Sequence, residues 1–270
     1  MKQNFAVLGA GNGGQVISAY LKLSGKHVTL YDRFPQVLAP IRARGGIQLE
    51  GVSKTGFAKL DQICEDVAQA VDGAEIIFVV LPAFAHAYVA QELAGCLVDG
   101  QTVVVCPGAT GGALEFRAIW DRAGCRSKVR LCETNSLFYA ARAQDAVATI
   151  SGVKDELSLA ALPAQDTQAI IDDLSDVYPQ LIPAANVLET SLNNMNTVVH
   201  PLPVLLNAGS IERGEKFRHY FDGITPAVGE VVEQMDRERV AVGRAYGLDI
   251  LSLRDAYIHY YHVQAEKMSD

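Results

Sequence analysis

Two stretches of the chain carry residue types whose spacing could do chemistry. The first is Gly9-Ala10-Gly11-Asn12-Gly13-Gly14, which lies between two short apolar runs, Phe5 to Leu8 and His27 to Tyr31, the second closing on Asp32. Gly9 lets a strand turn sharply, Gly11 removes a Cβ that would block a pyrophosphate, and Gly14 lets a helix pack close to the strand. The N–H groups and positive dipole end of that helix then face phosphate. Asp32 can accept both hydrogens of an adenosine ribose diol. The second stretch runs from Ser191 to Pro201 and sets three amide side chains and two hydroxyls just before His200. A bound dinucleotide suggests hydride transfer, which needs a proton donor. His200 is the candidate, although a single histidine can equally be structural. Buried amides need partners that a polar substrate can supply, so Asn193, Asn196 and Thr197 become candidate substrate contacts.

Lesser candidates surround these two. Arg33 follows Asp32 and could accept a 2′-phosphate or stack on adenine. NAD is therefore expected to bind tighter, with NADP admitted through Arg33. Pro82 and Ala83 break a buried apolar run and should line the same crevice. Arg142 could meet a substrate carboxylate, with a surface arginine as the equal alternative. His27, His86, His219, His259 and His262 have settings in which strand, helix or aromatic packing is explanation enough. The five cysteines never form C-x-x-C, so neither a disulfide framework nor a metal site is signalled. Cys106 beside Pro107 reads as a buried hydrophobe, since no adjacent histidine or cation would activate a thiolate.

The elements that must position these residues alternate. Strands are expected at Glu75 to Leu81, Thr102 to Cys106 and Arg130 to Thr134, with helices near Ile63 to Val71, Phe84 to Leu97 and from Ala113. A small β excursion covers 47–60, and 146–153 could pair with 156–162 as a hairpin. A parallel sheet with ligands beyond its strand ends follows. Gly108 to Gly112 lacks the Lys-Ser/Thr of an ATP or GTP loop. After the hinge at Pro183-Ala184-Ala185 the strand rhythm disappears. Thr225-Pro226 starts a helix that Gly247 stops, with Val228, Val231, Val232, Met235 and Val242 as its apolar side and Asp236 to Arg239 as solvated or paired charges. The expected fold is α/β: a Rossmann-type doubly wound sheet over 1–184, then a smaller all-helical domain over 185–270.

The 270 residues can bury a sizeable core, and the net charge of -8 argues against nucleic acid or an anionic membrane as partner. No apolar run has the length of a membrane span, and the first strand begins too early for a signal peptide, so a cytoplasmic protein is expected. Phe217, Tyr220, Phe221, Tyr257, Tyr260 and Tyr261 would allow a homodimer through the helical part, though a core uses aromatics equally well.

The glycine stretch, Leu81-Pro82-Ala83-Phe84-Ala85-His86, Asn194 to Pro201, and Phe221-Asp222-Gly223-Ile224-Thr225-Pro226 together resemble the octopine/nopaline dehydrogenase family along nearly the whole chain. The resemblance implies an opine dehydrogenase, which condenses an amino acid with an α-keto acid and reduces the imine with NAD(P)H. It also implies that His200 is the acid/base, oriented by a carboxylate. Thr197 stands where the family usually has proline. The family's helical domain continues with an Arg and an Asp that no element before Asp270 matches. This leaves a short member, substitution by Asp236, Glu238 or Asp255, or residues beyond this sequence. Two other classes stay open: a reductase of a simple keto or hydroxy acid, of the ketopantoate reductase or glycerol-3-phosphate dehydrogenase type, and a non-catalytic nucleotide-binding relative.

Overall fold

The computed structural model describes residues 2–216 and 218–261, which fall into two compact units meeting in sequence between Thr190 and Ser191. In the first unit, β1 (Asn4–Leu8) lies between β2 (His27–Tyr31) and β6 (Ile76–Val79). β5 (Gln62–Cys64) extends one side, and β7 (Thr102–Val105) and β8 (Arg130–Thr134) extend the other, all parallel. β11 (Leu157–Leu162) then adds antiparallel to β8, and β12 (Leu181–Pro183) pairs parallel with β11.

Continuous apolar runs form the central strands because both faces of the sheet are covered. Phe5, Val7, Ile76, Phe78 and Val104 enter one core, while Ala6, Leu8, Ile77, Val79, Val103 and Val105 enter the other. The second core holds α3 (Val67–Val71), α4 (His86–Ala94) and α5 (Gly112–Ala123). The first holds α1 (Asn12–Leu23), α2 (Pro35–Arg44) and α6 (Thr167–Leu174). It also holds a second sheet of β4 (Gly56–Ala58), β3 (Ile47–Gly51), β10 (Val147–Val153) and β9 (Tyr139–Gln144), in that order. All four of these strands contact α1, so the glycine-loop helix is enclosed between two sheets.

Two expectations need correction here. The helix expected from Ile63 starts only at Val67, where Asp66 caps it by accepting from the Gln69 N–H at 2.8 Å, and 62–64 is the edge strand β5. The segments 146–153 and 156–162 do not pair with each other. β10 turns back on β9 through Asp145 and Ala146, both with positive φ, a tight turn without its usual glycine. Leu157 to Ala161 is buried residue after residue, the signature of a strand covered on both faces, and it joins the main sheet instead. Ala184 and Val187, just after the Pro183 hinge, pack in the second core.

The second unit is helical. α7 (Val187–Leu192) leads into it, followed by α8 (Asn196–Val199), α9 (Pro201–Leu206), α10 (Ala208–Glu212), α11 (Pro226–Ala245) and α12 (Leu253–Tyr261). Thr225 caps α11 and Gly247 follows its end with φ +73°, as the sequence suggests. The buried face differs from the expected one. Val231 and Val242 are exposed, whereas Gly229, Val232, Asp236, Arg239, Val240 and Gly243 are buried. The charges at 236 and 239 are thus a buried pair rather than a solvated surface, at 2.7 Å. Val198, Val199, Ile224, Val232 and Leu253 make the small core of this unit. Leu253→Ala is expected to cost about 2–5 kcal/mol, read as a lowered midpoint in urea denaturation followed by far-ultraviolet circular dichroism.

Candidate active site

The crevice of the first unit is built by backbone. Gly9 follows β1 with φ +113°, and a Cβ there would stand 2.4 Å from the Val80 carbonyl oxygen, so only glycine lets the turn pass the end of β6. A Cβ on Gly14 would come to 1.7 Å from the Gly9 carbonyl oxygen. A Cβ on Gly13 would press on Val80 and Leu137 at 3.1–3.2 Å, but one on Gly11 would meet nothing within 4 Å. The open space is where a phosphate would need room. No side chain caps α1, and its first turn holds no acid.

The second glycine-rich turn, Gly108 to Gly112, differs in one decisive way. Glu133, fully buried at the end of β8, accepts from the Ala113 N–H at 2.7 Å and from the Thr190 hydroxyl at 2.6 Å. The α5 N-terminus therefore already holds a carboxylate, while that of α1 offers its donors to an outside anion. Nothing in the sequence order marks Glu133 for this role, since its partners lie 20 and 57 residues away.

Asp32 ends β2 inside the same crevice and is buried. Its carboxylate accepts from Ala10 N at 2.8 Å and from Phe34 N at 3.0 Å, which fixes it against the glycine turn. Two acceptor sites remain for ribose hydroxyls. Arg33 is exposed beside it, with its guanidinium carbon 4.3 Å from the Tyr88 ring centroid and 5.2 Å from that of Phe34. Pro82 and Ala83 begin a short 3-10 turn after β6, both exposed, followed by Phe84 at 89% exposure. Phe84 sits inside one of the stretches that carry the family resemblance, and no spacing in the sequence marks it for exposure. His86 anchors this loop: its ring is buried edge-on to Phe116 and pairs with the Leu81 carbonyl at 3.2 Å. Burial holds its pKa below the ordinary value, so the neutral ring donates to that carbonyl.

Two further expectations meet different geometry. The Asn12 side chain accepts from the Ala143 N–H at 2.8 Å, so it ties the glycine turn to β9. Arg142 lies within β9 on its exposed face, with Ala140 and Gln144, and its guanidinium donates to the Ala141 carbonyl at 2.8 Å. The face carrying Tyr139 and Ala141 is the one buried in the core with α1. Cys106 is buried and its thiol is pushed up to about 12 by burial, as befits an inert side chain. All five cysteines are free, and no metal-binding cluster occurs among the described residues.

His200 belongs to the second unit. His200 joins α8 to α9, and its Nε2 lies 2.7 Å from the Tyr220 hydroxyl. The His219 ring stands edge-on at 5.7 Å. Burial, and then repulsion from His219, hold the His200 pKa below its ordinary value. Of the polar residues before it, Ser191 and Asn194 are buried; the Asn194 carbonyl accepts from the Thr197 hydroxyl at 2.8 Å and its side chain from the Asn196 N–H at 3.2 Å. Asn193 is half-buried and Asn196 exposed. The carboxylates considered as partners for His200 are placed elsewhere. Asp236 binds Arg239 and Leu253 N, Asp255 accepts from the Ser252 hydroxyl, and Glu238 is exposed on α11. The group at His200 is a tyrosine hydroxyl, which sequence spacing alone does not reveal. Of the aromatics expected to form an interface, Tyr220 and Phe221 are exposed and Tyr257 is half-buried. Phe217 and the side chains of Tyr260 and Tyr261 lie outside the described residues, as does His262.

An open dinucleotide cradle on a doubly wound sheet, with a helical unit carrying a polar imidazole, defines a nicotinamide-dependent oxidoreductase. Residues 183–270 match the family model described as NAD/NADP octopine/nopaline dehydrogenase, alpha-helical domain, and residues 5–120 the one described as Ketopantoate reductase PanE/ApbA. The chain is 40% identical over 256 residues to the opine dehydrogenase of Arthrobacter sp. (strain 1C), spanning 94% of this chain and 71% of that one. Its fold is similar to that of octopine dehydrogenase solved with NADH and L-arginine, at TM-score 0.77 and 20% identity over 99% of this chain and 72% of the other. It is also similar to yersinopine dehydrogenase bound to NADP+, at TM-score 0.79 and 17% identity over 93% and 66%. The chain belongs to the opine dehydrogenase family, whose members are NAD(P)-dependent oxidoreductases acting on CH–NH bonds.

The glycines separate structural from binding roles by experiment. Gly11→Ala adds its Cβ to open space and is expected to leave the unfolding midpoint unchanged while weakening NADH binding about tenfold or more. Gly14→Ala, which forces the backbone apart, is expected to cost about 1–3 kcal/mol of stability. Fluorescence titration with NADH and thermal denaturation of both variants check the contrast.

Proposed function

We propose that this chain catalyses the reductive condensation of an amino acid with an α-keto acid, with His200 as the acid/base. The observation that carries the reading is the presence, in one chain, of the uncapped α1 cradle with Asp32 and of a half-buried imidazole hydrogen-bonded to Tyr220. When bound, the nicotinamide supplies hydride to the imine carbon. Gly9, Gly11, Gly13 and Gly14 leave space and backbone donors for the pyrophosphate, and Asp32 accepts from the adenosine ribose. Pro82 and Ala83 line the crevice beyond β6. His200 hands a proton to the oxygen that leaves as water or to the nitrogen that becomes the secondary amine, and takes it back in the reverse direction. Tyr220 fixes the ring by its hydrogen bond to Nε2. Asn193, Asn196 and Thr197, in the segment before His200, contribute polar contacts to the amino acid. Arg142 would meet a substrate carboxylate only by turning from its present bond to the Ala141 carbonyl. NADH is preferred, because Asp32 repels a 2′-phosphate, with Arg33 on its Tyr88 platform moderating that preference.

Because the match over 5–120 is to a ketopantoate reductase model, direct reduction of a keto acid is the second reading. Strict dependence of NADH oxidation on an added amino acid, across a panel of amino acid and keto acid pairs, supports the first; oxidation with keto acid alone supports the second.

His200→Ala is expected to leave NADH binding nearly intact and to lower turnover by about 10² or more; equal turnover would overturn the assignment. The lowered pKa of His200 sets the pH profile. The neutral ring is the base of the oxidative direction, so that rate should hold at neutral pH and fall only as pH drops below the ordinary histidine range. The reductive rate should rise through the same window. Both limbs should vanish in the alanine variant.

A further inference from the structure

The pair Asp236 and Arg239 is a buried ion pair of the second unit that the chemistry above does not use. Both side chains are buried, and both make their bonds inward. The Arg239 Nε and Nη2 donate to Asp236 Oδ1 at 2.9 and 2.7 Å. Its Nη1 donates to the Leu192 carbonyl, and its Nη2 to the Leu251 carbonyl at 2.5 Å. The other carboxylate oxygen, Asp236 Oδ2, accepts from the Leu253 N–H at 2.6 Å. One ion pair on α11 therefore holds three separate backbone positions.

Those positions bracket the His200 segment. Leu192 ends α7 and is followed at once by Asn193, and a guanidinium at a helix C-terminus satisfies a carbonyl that has no partner within the helix. Leu253 belongs to the small core in which Val198 and Val199, the residues just before His200, are buried with Val232 of α11. The segment 193–200 is thus fixed at its start by Arg239 and near its end through the residue that Asp236 holds. A buried ion pair is weak evidence of net stabilisation, because desolvation offsets its attraction. Its use here is geometric.

We propose that Asp236 and Arg239 are positioning residues, which clamp the Asn193 to His200 segment so that the imidazole meets the Tyr220 hydroxyl in one orientation. The proposal rests on the role given to His200 above only for its effect on turnover; the clamp itself is read without catalysis. His200 faces Tyr220 and His219, and neither variant below changes those residues.

Removing one partner alone would leave a buried charge, so the test replaces both. The double variant Asp236→Leu/Arg239→Met keeps apolar volume and is expected to fold, verified by circular dichroism. Its His200 imidazole, followed by NMR of histidine-labelled protein, is expected to titrate higher than in the wild type, closer to an ordinary histidine. Its turnover should fall about tenfold or more at unchanged NADH affinity, and Arg239→Lys should recover part of both. Wild-type titration and wild-type turnover in the folded double variant would overturn the clamp. If the double variant does not fold, hydrogen exchange on the wild type decides. Amides of 193–200 that open together with Leu253 N–H support the clamp, and amides that open independently of it refute it. A shifted titration in a protein whose wild type turns over no amino acid and keto acid pair would remove the proposed reaction and leave the clamp standing.

Discussion

Everything in the first unit depends on how closely α1 approaches β1. The Gly14 Cα lies so near the Gly9 carbonyl that any side chain would enter the oxygen's own volume. Close packing of this kind is possible only at glycine, and it aims the first turn of α1 along the mouth of the crevice at the point where β1 separates β2 from β6. The Asp32 carboxylate held by the Ala10 N–H and the second sheet packed on α1 are arranged around that one contact.

The contrast with α5 shows how the same physical device is assigned two uses. Both helices start after a glycine-rich turn at the carboxyl end of a central strand, and both present unsatisfied N–H groups there. At α5 an internal carboxylate, Glu133, takes the place of a ligand and joins that helix to α7 through Thr190. At α1 the chain supplies no such group. Composition points the other way, since a net charge of -8 disfavours anions in general. Local backbone donors decide the matter because they act at contact distance, whereas the global field is screened over about 10 Å.

Much of this was legible in the sequence wherever a residue's role depends on its neighbours in the chain. Gly9, Gly11, Gly14 and Asp32 announce themselves by spacing, and the continuous apolar runs at 76–79 and 102–105 give the buried parallel strands. What escaped depends on distant partners. The second sheet joins residues 47–58 to residues 139–153, and no local periodicity encodes that pairing. Asp236 and Arg239 read as surface charges because their spacing also suits a solvated ion pair; only the carbonyls of Leu192 and Leu251 reveal that they point inward. Tyr220 became the partner of His200 across 20 residues, where the resemblance had suggested a carboxylate.

The chain has a single tryptophan, Trp120, buried on α5 with its indole N–H donating to the Ala90 carbonyl at 3.0 Å. Its ring touches Phe116 edge-on, Phe116 touches His86 in the same manner, and His86 holds the loop that carries Pro82 and Ala83. The molecule consequently carries one indole at a defined depth, linked ring by ring to the lip of the dinucleotide crevice. Indole emission overlaps the absorption of reduced nicotinamide, so quenching of this one fluorophore is a direct optical measure of how much of the protein is loaded.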